Sequence, residues 1–528
     1  MTRSAADVGR GLAGARPPCP IHPGERIHVV GAAGAGASAA AILAVRAGAA
    51  VTACDRAPDS PYVPAVEAVG VTVVAGHAAA HVAQSAAGVA VPIVDRLAVT
   101  KALTAIDPEH PELRAAHALG IPVEPWQQVI ADAVATRGAR LVGVAGTHGK
   151  STSAGWLVEL LWRAGRDPSA FVGALLPREV SGVLPATARW GAGPEFVVEA
   201  DEYAGNFDPY RPTLAVLLNA EWDHPDVFAD AEAVYAAFEA WIRRTDGGGE
   251  PPVLVVHLGD PGADQVAARL ADWPGRMVTV ALGACAPRRT ALGPAHVVAA
   301  RVVAAEQDGT SLEITGLPLR SQTNRAGETV RARIALPGRH NAQNALCVAA
   351  AAAVLGVPLT AILGGLAAFR GVGRRLELKG EPQGVAILDD YAHHPTAIAA
   401  TLAAARQRYP GRRLWAVYEP LTYHRTAALL ERFADVLARG ADAVVVADIW
   451  AGRDPDTTIA SAEELAVEVR RRGLPDAAAP GSVDATADWL ATRVRPGDVV
   501  LVMGGGHSYR IAAQLMEALG GDAPSASR

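Results

Sequence analysis

Seven consecutive residues carry the types a phosphoryl-transfer site needs: Gly146-Thr147-His148-Gly149-Lys150-Ser151-Thr152. Glycines at such a turn let backbone N–H groups face phosphate oxygens. Lys150 is placed to reach the β- and γ-phosphates of a nucleotide, and the Ser151 hydroxyl suits a magnesium ion at a helix N-terminus. The apolar run Leu141 to Ala145 before the turn and the amphipathic stretch Ser153 to Ala164 after it predict a strand entering the loop and a helix leaving it. The loop departs from the strict G-x-x-x-x-G-K-[ST] spacing, because Val144 stands where the first glycine belongs and Gly146 lies only three residues before Gly149. Its lysine is one of three, with Lys101 and Lys379, among 48 Lys and Arg residues. A general drift toward arginine explains that scarcity but not which lysines remain.

Acidic groups follow in chain order. A predicted strand Phe196 to Val198 delivers Glu199, Asp201 and Glu202, and a predicted strand Leu214 to Leu218 delivers Asn219, Glu221, Asp223 and His224. Carboxylates at the carboxyl ends of neighbouring strands lie in the crevice where open α/β sheets bind ligands, and they suit Mg²⁺, whose shell phosphates would complete. Any one of them alone is better explained as a solvated surface group; following a P-loop in chain order, metal duty becomes the better reading. Near the N-terminus, a strand Arg26 to Val30, the turn Gly31-Ala32-Ala33-Gly34-Ala35-Gly36, a helix to about Ala47 and a strand Ala50 to Cys54 ending at Asp55 form a Rossmann-type unit. The middle glycine of the dinucleotide fingerprint is Ala33, so a pyrophosphate is held less closely there; a βα turn without a ligand stays open as a reading.

These pieces need a large scaffold. At 528 residues the chain exceeds one ordinary core and suggests about three domains. Half of its residues are hydrophobic and 19% charged, which excludes global disorder, and a formal charge of −6 without long Lys/Arg blocks argues against a dedicated nucleic-acid binder. No apolar signal core precedes Glu25, and the uncharged run Ala345 to Phe369 is alanine-rich and broken at Gly356 and Pro358, which predicts two buried helices instead of a membrane span. Cys19, Cys54, Cys285 and Cys347 are scattered without a C-x-x-C pair; that spacing argues against structural zinc and a disulfide framework and suits a reducing cytoplasm. Strand and helix patterns alternate to about Phe369, with short strands and turns from Ala299 to Ile334. A third α/β block then runs through strands Val385 to Leu388, Leu414 to Tyr418, Ala443 to Ala447 and Val499 to Met503, with helices Pro395 to Gln407, Thr426 to Ala438 and Ala462 to Arg471 between them. Both tails, to about Pro20 and from about Gly520, read as loose.

The P-loop, Glu199-Ala-Asp-Glu-Tyr203, Asn219-Ala-Glu-Trp-Asp-His224, Pro337-Gly-Arg-His-Asn-Ala-Gln-Asn344, Gly373-Arg-Arg-Leu376, Leu388-Asp-Asp-Tyr-Ala-His-His-Pro395 and Met503-Gly-Gly-Gly506 occur in the order of the Mur ligase family, which the chain resembles from about Arg26 to Ala518. The resemblance implies an α/β chain of three domains: a Rossmann-like UDP-sugar domain over 21–137, a central P-loop ATPase with a parallel-rich sheet over 138–372, and a C-terminal Rossmann-like ligase domain over 373–519. It implies an ATP- and Mg²⁺-dependent cytoplasmic enzyme of peptidoglycan synthesis, forming an amide on the lactyl carboxylate of UDP-N-acetylmuramate through an acyl phosphate. Its partners would be small molecules. The branch that adds L-alanine fits best.

Residue by residue, the resemblance assigns Gly146 to Thr152, His340, Asn341, Asn344, Arg375 and Asp390 to ATP, and Ser151, Glu199 and His224 to the metal. Lys150, Glu199, His224 and Arg375 become the catalytic set. Gly31, Ala33, Gly34, Ala35, Gly36, Asp55, Asp201 and Glu202 fall to the UDP-sugar, and Tyr391, His393, His424 and Arg425 to the amino acid. Some members carry a carbamylated lysine by a second metal; no lysine lies between Lys150 and Lys379, so that device is missing here. In the amine segment Leu421 replaces the usual histidine and His424 appears three positions later. His424 filling that role and both changes lying outside the site stay open. So do a branch that attaches an intact tripeptide, toward which Tyr203 and Tyr418-Glu-Pro420 lean, a paralogue acting on another carboxylate, and a nucleotide-gated binder without turnover.

Overall fold

The computed structural model describes residues 5–86, 89–107, 109–283, 296–319, 329–452, 454 and 456–521. Among the described residues three large sheets follow one another along the chain, with a two-stranded hairpin, Ala83–Ala86 and Val89–Pro92, beside the first. In the first, the parallel strands Val73–Ala75, Ala50–Asp55, Arg26–Val30, Arg96–Val99 and Val123–Pro125 lie side by side in that order. The second has ten strands, with Arg140–Ala145 between Glu195–Ala200 and Leu214–Leu217, and ends in the antiparallel strands His296–Glu306, Gly309–Thr315 and Thr329–Ile334. The third has six strands, parallel except for the edge strand Glu377–Gly380.

Strands covered on both faces read as unbroken apolar runs, and Leu214–Leu217, Val253–His257 and Ala443–Ala447 are buried at every position. Because each is parallel to its neighbours, their carboxyl ends emerge on one edge, where the loops carrying the site begin. Helix Lys150–Arg163 starts at Gly149, whose φ of 81° a β-carbon would strain. The alanine-rich run forms two helices, Arg339–Val354 and Leu359–Ala368, separated at Gly356 and Pro358. Alanine lets the first lie close against its neighbours, with nearly every residue from Asn341 to Val354 buried.

Several expectations need correction. The N-terminal tail is tied down: Ala5–Val8 is helical, and the Arg16 guanidinium donates to Glu124 at 2.6 Å and to Asp132 at 2.7 Å. A lone arginine in a Pro-rich stretch gives no local sign of two buried carboxylates more than 100 residues away. The helix expected over Thr426 to Ala438 is two, Tyr423–Ala428 and Leu430–Gly440, since Leu429 leaves the helical region. The strand Ala477–Gly481 and helix Val483–Ala491 were masked by Pro480 and by small residues. Cys285 and the tail beyond Gly521 lie outside the described residues.

The sheets meet through side chains. Ser38 Oγ lies 3.0 Å from Thr187 Oγ1, and Trp126 stacks edge-on against Phe171 at 5.3 Å, joining the first sheet's helices to the second domain. Lys101 Nζ donates to the Ala204 carbonyl at 2.6 Å, and burial lowers its pKa to about 8. The third domain reaches the second through Arg375, Arg425 and Arg432.

Candidate active site

The strand Arg140–Ala145 runs into the P-loop, and Gly146 must be glycine: its φ is 143° and a β-carbon would stand 3.0 Å from Leu218 Cβ. Asn219 brackets the loop from the adjoining strand end, its Oδ1 accepting from His148 N at 2.8 Å while its Nδ2 donates to the His148 carbonyl at 3.0 Å. Lys150 Nζ donates to Glu202 Oε2 at 2.9 Å and stands 3.6 Å from Asp201 Oδ1. Burial works against its charge, but Glu202 and Asp201 outweigh that and hold its pKa above the ordinary lysine value. Lys150 is therefore a fixed cation beside the loop.

The Ser151 hydroxyl donates to Glu199 Oε1 at 3.0 Å and accepts from Arg375 at 3.0 Å, so a residue of the third domain closes on the P-loop. Glu199 Oε2 also accepts from Gly173 N at 2.6 Å. The expected metal ligands fall into two groups. Ser151 and Glu199 form one, while His224 offers its ring nitrogen within 4.8 Å of Asp201 and Glu202. Asp201 and Glu202, expected at the UDP-sugar, thus sit at the P-loop lysine.

A cleft of about 220 Å³ lies between the second and third domains. Of the residues the resemblance assigns to ATP, His148, Gly149, Thr152, His340, Asn341, Asn344, Arg375 and Asp390 line it, while Gly146, Thr147, Lys150 and Ser151 do not. Burial lowers the His340 pKa to about 4, so the ring is neutral and can accept or donate one hydrogen bond. Asp390 is committed to the backbone: Oδ2 accepts from Leu376 N and Oδ1 from Ala392 N, each at 2.7 Å, which folds the segment carrying Arg375 onto the strand Ala386–Asp390.

The sequence singles out His148 and Glu221 but not their meeting with His394 and Arg432. Glu221 accepts from Arg432 at 2.7 Å, from Thr396 at 2.9 Å and pairs with His148 Nε2 at 3.0 Å. Burial opposes its charge, yet His148, His394 and Arg432 hold its pKa well below the usual carboxylate range. A Glu at a strand's carboxyl end was the available signal, but three of its partners, His394, Thr396 and Arg432, come from another domain.

Arg425, expected at the amino acid, is 1% exposed. Its Nε donates to Asp223 at 2.8 Å and a terminal nitrogen lies 3.2 Å from His224 Nδ1, while the other terminal nitrogen, also buried, has no hydrogen-bond partner among the described residues. Burial, with Arg425 nearby, pushes the His393 pKa well below its ordinary value, and His393 Nδ1 lies 2.8 Å from the Tyr391 carbonyl. Tyr391 lies beneath the guanidinium of Arg375 at 5.2 Å. His424 instead faces Asp454, 3.2 Å from its Oδ2, and Leu421 is buried.

In the first domain Gly31 has φ 85°, and Gly36 is required because a β-carbon would overlap Trp126 at 2.1 Å. Asp55 organises the turn, accepting from Ala33 N at 3.0 Å and from Ala57 N at 2.9 Å. Ala33, Gly34 and Ala35 lead into helix Ala35–Arg46, leaving its N-terminus without a side-chain cap.

The chain matches three family models: the Mur ligase family catalytic domain over residues 26–137, the Mur ligase middle domain over 144–352 and the Mur ligase glutamate ligase domain over 374–506. It is 38% identical to a UDP-N-acetylmuramate–L-alanine ligase of Roseiflexus, covering 79% of this chain and 86% of that protein. It is 37% identical to one of Frankia casuarinae, covering 94% and 98%. Among solved structures, the UDP-N-acetylmuramate–alanine ligase of Thermotoga maritima has the same fold, with a TM-score of 0.71 at 21% identity over 93% of this chain and 98% of that one. With three sheets in sequence, a P-loop closed by an arginine from the third domain, and these matches, the chain belongs to the Mur ligase family.

Proposed function

We propose that the protein is an ATP-dependent ligase joining L-alanine to the lactyl carboxylate of UDP-N-acetylmuramate, with ADP and phosphate as the other products. The observation carrying this reading is the contact between Arg375 and the P-loop Ser151, which puts two domains around one nucleotide cleft. The alanine ligases of Roseiflexus and Frankia supply the substrate pair by similarity over most of the chain. No helix among the described residues is long and apolar enough to cross a membrane, and we place the reaction in the cytoplasm, beside its nucleotide substrates.

In this reading the P-loop backbone and Lys150 hold the ATP phosphates, and His340, Asn341 and Asn344 meet the base. The turn Gly31 to Gly36 receives the UDP pyrophosphate. The lactyl carboxylate attacks the γ-phosphorus, and the acyl phosphate formed is attacked by the amine, with phosphate leaving as the amide bond forms. Such chemistry is governed by positioning and charge neutralisation. The donors at Ser151 and Glu199, and those of Asp201, Glu202 and His224, are mostly hard oxygens, a set that fits Mg²⁺. When bound, Mg²⁺ supplies charge neutralisation at the transferring phosphoryl group. Arg375 adds a cation from the closing domain. Arg425 presents its unpartnered nitrogen to the carboxylate of the amino acid, and neutral His393 stands near it.

The test is phosphate release from ATP with UDP-N-acetylmuramate and a panel of L-alanine, glycine, L-serine and the tripeptide. Release should require both the UDP-sugar and the amine, and be fastest with L-alanine. A preference for the tripeptide would overturn the substrate assignment, and release indifferent to the UDP-sugar would overturn the ligase reading.

A further inference from the structure

The first domain buries a second set of reactive side chains that the ligase reaction does not use. His28 lies in the middle of the strand Arg26–Val30, whose alternation turns Ile27 and Val29 toward the helix Ala35–Arg46 and His28 and Val30 to the opposite face. Parallel pairing sets His28 opposite Thr52 and Val30 opposite Cys54, so Cys54 points to the same face as His28. Glu112, at the start of the helix Pro111–Ala118, comes under that face from below, and His81 closes it from a short 3₁₀ turn. His28, Cys54 and Glu112 are at most 2% exposed.

Two of the spacings are those of a coordination shell and two are the shorter ones of hydrogen bonds. Zinc takes nitrogen, sulfur and carboxylate ligands at about 2.0–2.3 Å in a tetrahedron, which puts ligand atoms about 3.3–3.8 Å apart. His28 Nε2 lies 3.3 Å from Cys54 Sγ and 3.7 Å from Glu112 Oε1, and Cys54 Sγ lies 3.1 Å from Glu112 Oε1. His81 Nδ1, 2.5 Å from the same Glu112 oxygen, keeps a hydrogen-bond spacing that an entering cation would widen. The four ligand atoms all fall within 4.8 Å of one another.

Outer groups are in place as well. Thr52 Oγ1 lies 2.8 Å from His28 Nδ1, leaving Nε2 to face the cluster. His77 Nδ1 and His110 Nδ1 stand 3.4 and 3.3 Å from Glu112 Oε2. Yet Glu112 Oε2 and His110 Nδ1, both buried, make no hydrogen bond among the described residues. The oxygen left without a partner is Oε2, between His77 and His110, whereas Oε1 is the atom that faces His28, Cys54 and His81; a cation on Oε1 would fix the carboxylate in the orientation that sets Oε2 between those two rings.

We propose that His28, Cys54, His81 and Glu112 bind one divalent transition metal ion of the zinc class, a site separate from the magnesium positions of the P-loop. Binding displaces the Cys54 thiol proton and leaves a thiolate ligand. The ion would sit directly beneath the UDP-sugar turn, because the Cys54 carbonyl accepts from Gly31 N at 2.9 Å and from Ala32 N at 3.1 Å. It thereby fixes the strand end from which that turn springs. Scattered cysteines hid the set: only one thiol takes part, and its partners come from three other segments.

The test uses the untagged full chain, loaded with zinc and passed over a desalting column, then assayed for metal and, in parallel, titrated with Co²⁺. About one equivalent of zinc should remain. Cobalt should give a thiolate charge-transfer band that Cys54→Ala removes and Cys19→Ala, at an exposed cysteine, leaves intact. Retained zinc far below one equivalent, or a band unaffected by Cys54→Ala, would overturn the proposal. Should Cys54→Ala not fold, zinc-edge absorption of the parent protein decides. One sulfur with nitrogen and oxygen neighbours is expected. A shell without sulfur would put the ion at a thiol-free group such as His148, Glu221 and His394, and the proposal would fail.

Discussion

Replacing Arg425 with lysine separates the two tasks its geometry suggests. The native guanidinium uses Nε on Asp223 and one terminal nitrogen beside His224, and keeps the other terminal nitrogen buried and unpartnered. Lysine can keep a positive charge opposite Asp223, but as a point charge it cannot also present a second, rigidly placed donor. A hydrogen bond to a charged group contributes about 1.5–3 kcal/mol, so Arg425→Lys should raise the L-alanine KM by about 10- to 10²-fold and leave the ATP KM nearly unchanged. Arg425→Ala goes further: it strands the buried Asp223 carboxylate, at about 3–5 kcal/mol, and loosens the contact between the second and third domains. Its effects should therefore spread to every substrate, and be partly relieved when Asp223→Asn is added. The assay is steady-state phosphate release with each substrate varied in turn. An equal rise of both KM values in Arg425→Lys would reduce Arg425 to a domain tie.

Three further outcomes follow from the same geometry. Lys150→Ala should lower kcat by on the order of 10²-fold or more while circular dichroism still reports a folded protein, since it removes a preorganised cation, and its melting temperature should fall because Glu202 loses its partner; near-normal turnover would take the P-loop lysine out of the reaction. Glu199→Gln should raise the Mg²⁺ concentration needed for half-maximal rate, and an unchanged magnesium dependence would mean that the Ser151–Glu199 pair does not hold the ion. Burial holds His340 at about 4 against an ordinary 6.5, so the unfolded chain takes up a proton that the folded one refuses between those values. Stability is then lost as pH falls from 6.5 to 4, by at most about 3 kcal/mol from this group. The difference between parent and His340→Asn denaturation midpoints should grow over that window, and parallel curves would contradict the assignment.

What could be read from the sequence was what is local. The P-loop announces itself because strand, turn and helix are contiguous, and the break between the two alanine-rich helices is marked by Gly356 and Pro358. Roles that depend on another domain were legible only as residue types. Arg375 could be matched to a motif, but its seat on Ser151 exists only after the third domain folds back. Glu221 looked like any strand-end carboxylate until His148, His394 and Arg432 converged on it. His28 inside an apolar strand reads as a core histidine, and nothing near it in sequence points to Cys54, His81 or Glu112.

The central claim is that the lactyl carboxylate itself takes the phosphoryl group before the amine arrives. It is tested most directly with UDP-N-acetylmuramate carrying ¹⁸O in both lactyl carboxylate oxygens, L-alanine, ATP and the purified enzyme, followed by mass analysis of products. An acyl phosphate requires one ¹⁸O to leave with each phosphate released and the other to remain in the amide carbonyl. Phosphate free of label, with the amide still formed, would rule out the acyl phosphate.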